Sequence, residues 1–230
     1  MLKLCIAVQT HSIAEPITST NGKLLGVELL TRIDTGGITE STFEMEHFIA
    51  RLTEDSKRSL LISQLEQVQA KAQFFIEYGL VCSINIDFDM AGIIIKDTEV
   101  STLLGALPFV RLEISERFPN LSDGMKNPLL KELTERYPLW LDDLGAGNAN
   151  MEAVQTGMFQ CVKVDKKFYW NNCNSLMWPI IIRNINQYCE QIIIEGVQNQ
   201  YQLTKIGEAI TGIQGYLFKS VPFSKVETLI

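Results

Sequence analysis

Glu28, Asn85, Glu113, Asp142 with Asp143, Lys163, Glu195 and Gln214 are the residues of this 230-residue chain whose types and spacing could do chemistry. Successive intervals are 57, 28, 29, 21, 32 and 19 residues, about 31 on average, and one strand-helix unit takes ~30 residues. Groups spaced this way can sit once per repeat at the ends of successive strands. Brought together, the glutamates, aspartates and asparagine would repel one another unless cations lay between them. An all-oxygen set favours Mg²⁺ or Mn²⁺, and there are enough carboxylates for two ions. Two such ions can activate a water and stabilise both oxygens of a phosphoryl transfer, with Lys163 orienting that water or neutralising phosphate charge. Only His11 and His47 are present, and the five cysteines form no Cys-x-x-Cys pair, so imidazole or thiolate chemistry has little to work with. The cysteines are expected to be reduced and mostly packed.

The elements that must position these groups are short apolar runs: Leu24 to Leu30, Val81 to Ile86, Val110 to Ile114, Leu139 to Leu141, Cys161 to Val164 and Ile192 to Ile194. Continuous Val, Ile and Leu runs read as parallel strands buried on both faces. Between them lie stretches of helical period. Ser56 to Tyr78 has apolar residues at three- and four-residue steps and is stopped by Gly79, and Pro128 to Arg136 and Pro179 to Tyr188 carry proline in their first turns. A barrel of about eight such units would use the whole chain and converge the polar groups on its C-terminal face. The 57-residue step is then read as skipping one repeat. An open doubly wound sheet is the structural rival, but it would spread the same residues along a line.

Composition narrows the classes. Apolar residues are 46% and charged residues 20%, within the range of globular domains, and no linker or charge block divides residues 1–230 into more than one domain. The formal charge of −7 speaks against DNA or RNA polymers as partners. The absence of a long apolar run speaks against a membrane span and leaves the cytoplasm as the expected location. Any one strand-end acid, taken alone, is more often a helix cap or solvated charge. Asp142-Asp143 resists that reading, because it joins a strand end to the Gly-hinged stretch Leu144-Gly145-Ala146-Gly147.

At these residues the sequence resembles the EAL-domain family of cyclic diguanylate phosphodiesterases over nearly the whole chain. Glu28-Leu29-Leu30-Thr31-Arg32 stands where the family has Glu-Ala-Leu-x-Arg. Ser83-Ile84-Asn85-Ile86-Asp87, Leu112-Glu113-Ile114-Ser115-Glu116, Asp142-Asp143-Leu144-Gly145-Ala146-Gly147, Val162-Lys163-Val164-Asp165, Ile194-Glu195-Gly196-Val197 and Gln214-Gly215-Tyr216-Leu217-Phe218 follow in the family's order. Among relatives it is similar to the short, stand-alone enterobacterial type.

The resemblance implies a (β/α)8 TIM-like barrel variant with one antiparallel strand and two Mg²⁺ or Mn²⁺ ions; Ca²⁺, with longer and less rigid oxygen coordination, is expected to be inhibitory. It also implies hydrolysis of cyclic diguanylate to the linear dinucleotide, in service of motility, fimbriae or biofilm. Glu28, Asn85, Glu113 and Asp142 would hold one metal, and Asp142, Asp143 and Glu195 the other. Glu28, Lys163 and Glu195 would form the catalytic set, with Lys163 holding the attacking water. Arg32, Gln214, Glu15 and Leu29 would line the substrate, Glu116 would brace the loop after Asp143, and two barrels would pair as a homodimer. Several positions depart from the family pattern. Leu29 replaces Ala, Leu144 replaces Phe, Gln198 replaces a second glutamate, and Glu15 replaces Gln at what is expected to be a solvent-screened rim near the dianionic substrate. The complete ligand set favours the enzyme. The alternative is a catalytically weak relative acting as a dinucleotide receptor or protein-binding regulator, and a third possibility is a barrel acting on another phosphate ester.

Overall fold

A computed structural model describes residues 9–34, 45–115, 117–146 and 151–230. Seven parallel strands, β2 (Leu24–Ile33), β3 (Val81–Asn85), β4 (Val110–Ser115), β5 (Leu139–Leu144), β6 (Phe159–Val164), β7 (Gln191–Ile194) and β8 (Gly212–Ile213), pair in sequence order. β1 (Thr10–Thr18) lies antiparallel between β8 and β2 and closes the ring, so the expected barrel with one antiparallel strand is what the chain forms. A two-residue strand, β9 (Val221–Pro222), pairs antiparallel with β1 at Ile13 and Ala14.

The strand runs read from the sequence coincide with β2 to β7. No strand fills the skipped repeat among the described residues between Glu28 and Asn85: β2 pairs directly with β3, and the connection carries α1 (Met45–Ile49), α2 (Glu54–Gln69) and α3 (Ala72–Tyr78). The eighth strand is β1, at the other end of the count. The single helix expected over Ser56–Tyr78 is also two, broken at Ala70 and Lys71, with Gly79 ending the second in the left-handed conformation at φ 63° that glycine adopts without strain. The break turns Phe75 inward, where its ring stacks on Phe109 and Phe223.

The remaining helices are α4 (Phe88–Lys96), α5 (Thr98–Gly105), α6 (Pro128–Arg136), α7 (Met151–Gln155), α8 (Lys166–Asn172), α9 (Trp178–Asn186) and α10 (Gln200–Leu203). Side-chain caps define several of their starts. Asp87 accepts from Met90 N–H, Asp97 from Glu99 and Val100, Asn127 from Leu129 and Leu130, and Asp165 from Lys167 and Phe168. Asp87 and Asp165 lie just beyond strands that carry site residues, so these caps fix where each strand hands over to its helix.

Two apolar layers result from the period-2 alternation of each strand. Outward residues such as Val27, Leu29, Cys82, Ile84, Leu112, Ile114, Leu141, Val162 and Ile194 bury against the helices. Inside, Ile17, Trp140, Cys161 and Ile193 plug the barrel below its mouth. Cys82, Cys161, Cys173 and Cys189 are free thiols, and all but Cys173 are buried. Among the described residues no helix is long and apolar enough to cross a membrane.

Candidate functional site

The same alternation that sends Leu29 outward sends Glu28 inward. The inward positions near the C-terminal ends of the parallel strands are Glu28, Asn85, Glu113, Asp142, Lys163, Glu195 and Gln214. Asp142 and Asp143 are neighbours and would ordinarily face opposite ways. Here β5 carries an extra residue against β6, pairing Leu141 with Val162 but Leu144 with Val164, and Asp143 takes φ 58°. This bulge turns both carboxylates toward the mouth. Glu28, Glu113 and Asp142 form one group of carboxylates whose oxygens lie within 4.8 Å of one another, and Asp142, Asp143 and Glu195 form a second. Every expected metal-ligating acid is therefore brought together, with Asn85 donating to Glu28 Oε1 at 2.5 Å.

Lys163 lies at the centre. Its fully buried ammonium sits 2.8 Å from Glu28 Oε2, 2.9 Å from Glu113 Oε2, 2.9 Å from Asp142 Oδ1 and 3.0 Å from Glu195 Oε1. Three N–H bonds cannot serve four carboxylates. Asp142 Oδ1 has the Lys163 ammonium at 2.9 Å without a well-aligned hydrogen bond, while the second oxygen of Glu113 and Gln214 Oε1 are buried with no donor. Gln214 gives its amide N–H to Glu28 Oε2 at 2.6 Å.

The charges divide unequally. Burial pushes the Glu28 carboxyl up, but Lys163, Gln214 and Asn85 outweigh it and hold Glu28 below its ordinary value. Burial and the charge of Glu28 push Glu113 well up, and burial does the same for Glu195 with Asp142 adding to it. Asp142 is raised by burial against the pull of Lys163. Lys163 is itself desolvated, yet the four acids hold its proton more firmly than usual. The mouth thus sets one ammonium against four carboxylates, with Glu28 the acid held most firmly in its charged form and the others pressed toward protons or cations.

The other expected site residues fall differently. Glu15 is no rim residue: it stands directly opposite Glu28 in the β1–β2 ladder, and burial followed by the charge of Glu28 raises its carboxyl. Leu29 packs in the outer core, although it also borders the cavity above the mouth. Arg32 lines that cavity. Gln198 is exposed, and Glu116, Gly147 and Asn148 to Asn150 lie outside the described residues.

The cavity measures about 590 Å³ and runs from Glu28, Asn85, Asp142 and Asp143 to an apolar wall that includes Ile49, Leu60, Phe88 and Phe118. Sequence reasoning missed Lys57 and Gln64 in its lining. Lys57 is buried and pairs with Asp87 at 2.5 Å and Asp89 at 2.6 Å, and Gln64 donates to Thr31 Oγ1 at 3.1 Å. The signal was present: positions 57, 61, 64, 65 and 68 share the buried face of α2, so a lysine and a glutamine there required polar partners.

A closed barrel with one antiparallel strand, an inward carboxylate ring and a Glu-Leu-Leu-x-Arg signature defines an EAL-type protein, and the EAL domain family profile matches residues 9–220. The chain belongs to the EAL domain family. It is similar to the putative anti-FlhC(2)FlhD(4) factor YdiV of Escherichia coli K12, at 32% identity over 220 residues covering 94% of this chain and 92% of that protein. The anti-FlhC(2)FlhD(4) factor YdiV of Salmonella arizonae is 27% identical over 222 residues, with the same coverage. The crystal structure of the EAL-like domain protein YdiV superimposes with a TM-score of 0.87 at 30% identity and covers 97% of both chains.

These relatives correct the expected activity. Proteins matched along 94% of the chain are named for acting against a protein complex, FlhC(2)FlhD(4), and not for hydrolysing a phosphodiester. The expected enzyme, a cyclic diguanylate phosphodiesterase, and the expected partner, cyclic diguanylate, both give way to the protein-binding alternative. The physical lesson is that a complete carboxylate set does not specify hydrolysis. Here four of its members converge on the ammonium of Lys163.

Proposed function

We propose that this chain is a protein-binding regulator that engages an FlhC(2)FlhD(4)-type complex, acts in the cytoplasm and takes part in signalling that controls motility. The observation that carries this reading is the end-to-end similarity to the Escherichia coli anti-FlhC(2)FlhD(4) factor, 32% over 220 residues. It is supported by the superposition of the EAL-like YdiV barrel at a TM-score of 0.87. In this role the barrel is a rigid scaffold whose outer helices present the binding surface, and the Lys163 network serves to hold the strand ends in register. The test is size-exclusion chromatography of the purified chain mixed with purified FlhC(2)FlhD(4). A co-eluting complex supports the reading, and separate elution at concentrations well above micromolar overturns it.

The mouth is also proposed to take up Mg²⁺ or Mn²⁺. The all-oxygen donor set and the buried Glu113 oxygen that lacks a donor suit a hard cation. Glu28, Glu113, Asp142, Asp143 and Glu195 would hold it, and its chemistry there would be neutralisation of the acids that Lys163 leaves uncompensated. Metal titration followed by thermal unfolding tests this, with a rise in melting temperature expected and no shift contradicting it.

A further inference from the structure

The outward side of α9 breaks the rule that a surface helix shows charge to water. Trp178, Ile182 and Ile185 turn inward and are buried. Leu176 and Met177, which lead into α9, are 94% and 54% exposed, Ile180 on its outward side 44% and Tyr188 just beyond its end 40%, with Asn184 between the last two at helical spacing. Beside this ridge a cleft of about 110 Å³ opens between Leu144, Met151, Phe168, Ile181 and Asn184, with room for a single side chain. Asn184 belongs to both, so ridge and cleft form one surface.

Its charge is as unusual as its apolarity. From Lys166 to Cys189 the chain runs 24 residues without an acid, in a protein with 27 acids in 230 residues and a net charge of −7. The same stretch carries Lys166, Lys167 and Arg183, all exposed, and none pairs with a carboxylate among the described residues. Arg183 lies one turn beyond Ile180 on the ridge. Lys167 adjoins Phe168 in the cleft wall. Arg183 on α9 and Lys166 and Lys167 on α8 are too few for a nucleic-acid backbone.

We propose that the α9 ridge and the cleft beside it are the docking surface for the partner protein, and that the partner presents an acidic amphipathic helix. Its apolar stripe covers Leu176, Met177 and Ile180, one of its side chains fills the cleft, and its acids meet Lys167 and Arg183. The chain as a whole is acidic, so Lys167 and Arg183, which lie in a 24-residue stretch without an acid, favour an acidic segment at this face. The inference rests on the protein-binding function proposed above and locates it.

The test is calorimetric titration with FlhC(2)FlhD(4) at low and high salt, using wild type, Leu176→Glu with Ile180→Glu, Lys167→Glu with Arg183→Glu, and Ile76→Glu as a control on the exposed side of α3. All substituted positions are at the surface, and circular dichroism checks that each variant folds. Both double variants should weaken binding by about tenfold or more, and the charge reversal should also flatten the salt dependence, while Ile76→Glu stays within about twofold of wild type. Wild-type binding that both double variants retain would overturn the docking surface and leave the function standing. No binding by wild type would remove the function and the inference with it. Light scattering supplies the last outcome: a wild-type dimer that Ile180→Glu dissolves would make this face a self-interface and overturn the proposal.

Discussion

Lys163 Nζ lies 2.8 Å from Glu28 Oε2, so the glutamate of the family signature is neutralised by the chain's own ammonium. The two residues come from β6 and β2 across the barrel, and neither side chain has more than 6% of its surface exposed. Their pairing ties opposite walls of the mouth together and fixes what the surrounding acids experience.

Replacing Lys163 with Met should therefore destabilise the fold by about 3–5 kcal/mol at neutral pH, because four carboxylates lose their shared counter-charge in a desolvated place. Urea unfolding checks this. The loss should shrink near pH 5, where the acids can take protons instead. A variant as stable as wild type at pH 7 would mean that the network contributes nothing to stability.

Glu15 faces Glu28 directly across the β1–β2 ladder, and like charges placed opposite one another are unfavourable. Glu15→Gln should stabilise the protein by about 0.5–1 kcal/mol at pH 7, read from the shift of the urea midpoint. Destabilisation would show that Glu15 is held protonated and donates a hydrogen bond that the amide cannot reproduce.

The pH dependence follows from the shifted acids. Glu113 and Glu195 are raised well above the ordinary 4.5, so as pH rises past that value the unfolded chain releases protons that the folded chain keeps, and stability falls. Glu28 is lowered and works in the opposite sense, its contribution being present above 4.5 and lost as pH falls through its folded value. Asp142 is raised and joins the first pair. Glu15 is raised as well, so with four acids of the mouth against one the stability of metal-free protein should decline from about pH 5 toward pH 8, and saturating Mg²⁺ should reduce that slope. Urea midpoints across this range, with and without the ion, measure it. A rise toward pH 8 without metal would contradict the charge assignment.

Much of the frame was legible in the sequence. The runs that become β2 to β7 are continuous Val, Ile and Leu segments broken by a polar residue near the end, because both faces are buried except where a strand reaches the mouth. β1 was illegible for the converse reason. Thr10 to Thr18 mixes His11, Ser12, Glu15 and Pro16 into its pattern, which an antiparallel closing strand tolerates and a buried parallel strand would not. β8 has two residues and cannot show a period. The inward acids were legible by spacing, but the bulge that turns Asp143 beside Asp142 depends on a positive φ that the sequence does not display. Lys57 carries no motif, and its only signal is that it shares a helix face with Leu61, Leu65 and Val68. The function was least legible. The metal-capable residues are all present, whereas the proposed protein binding would depend on exposed faces such as that of α9, which carry no motif.

The central claim is that the chain binds protein and does so without using the mouth as a catalytic centre. Its most direct test is calorimetric titration of FlhC(2)FlhD(4) into wild type and Glu28→Gln, both in the presence of a metal chelator. Saturating binding by both, with affinities within about twofold, is the result predicted here. Absence of binding by wild type would contradict the claim, and loss of binding in Glu28→Gln alone would return the carboxylate mouth to the centre of the function.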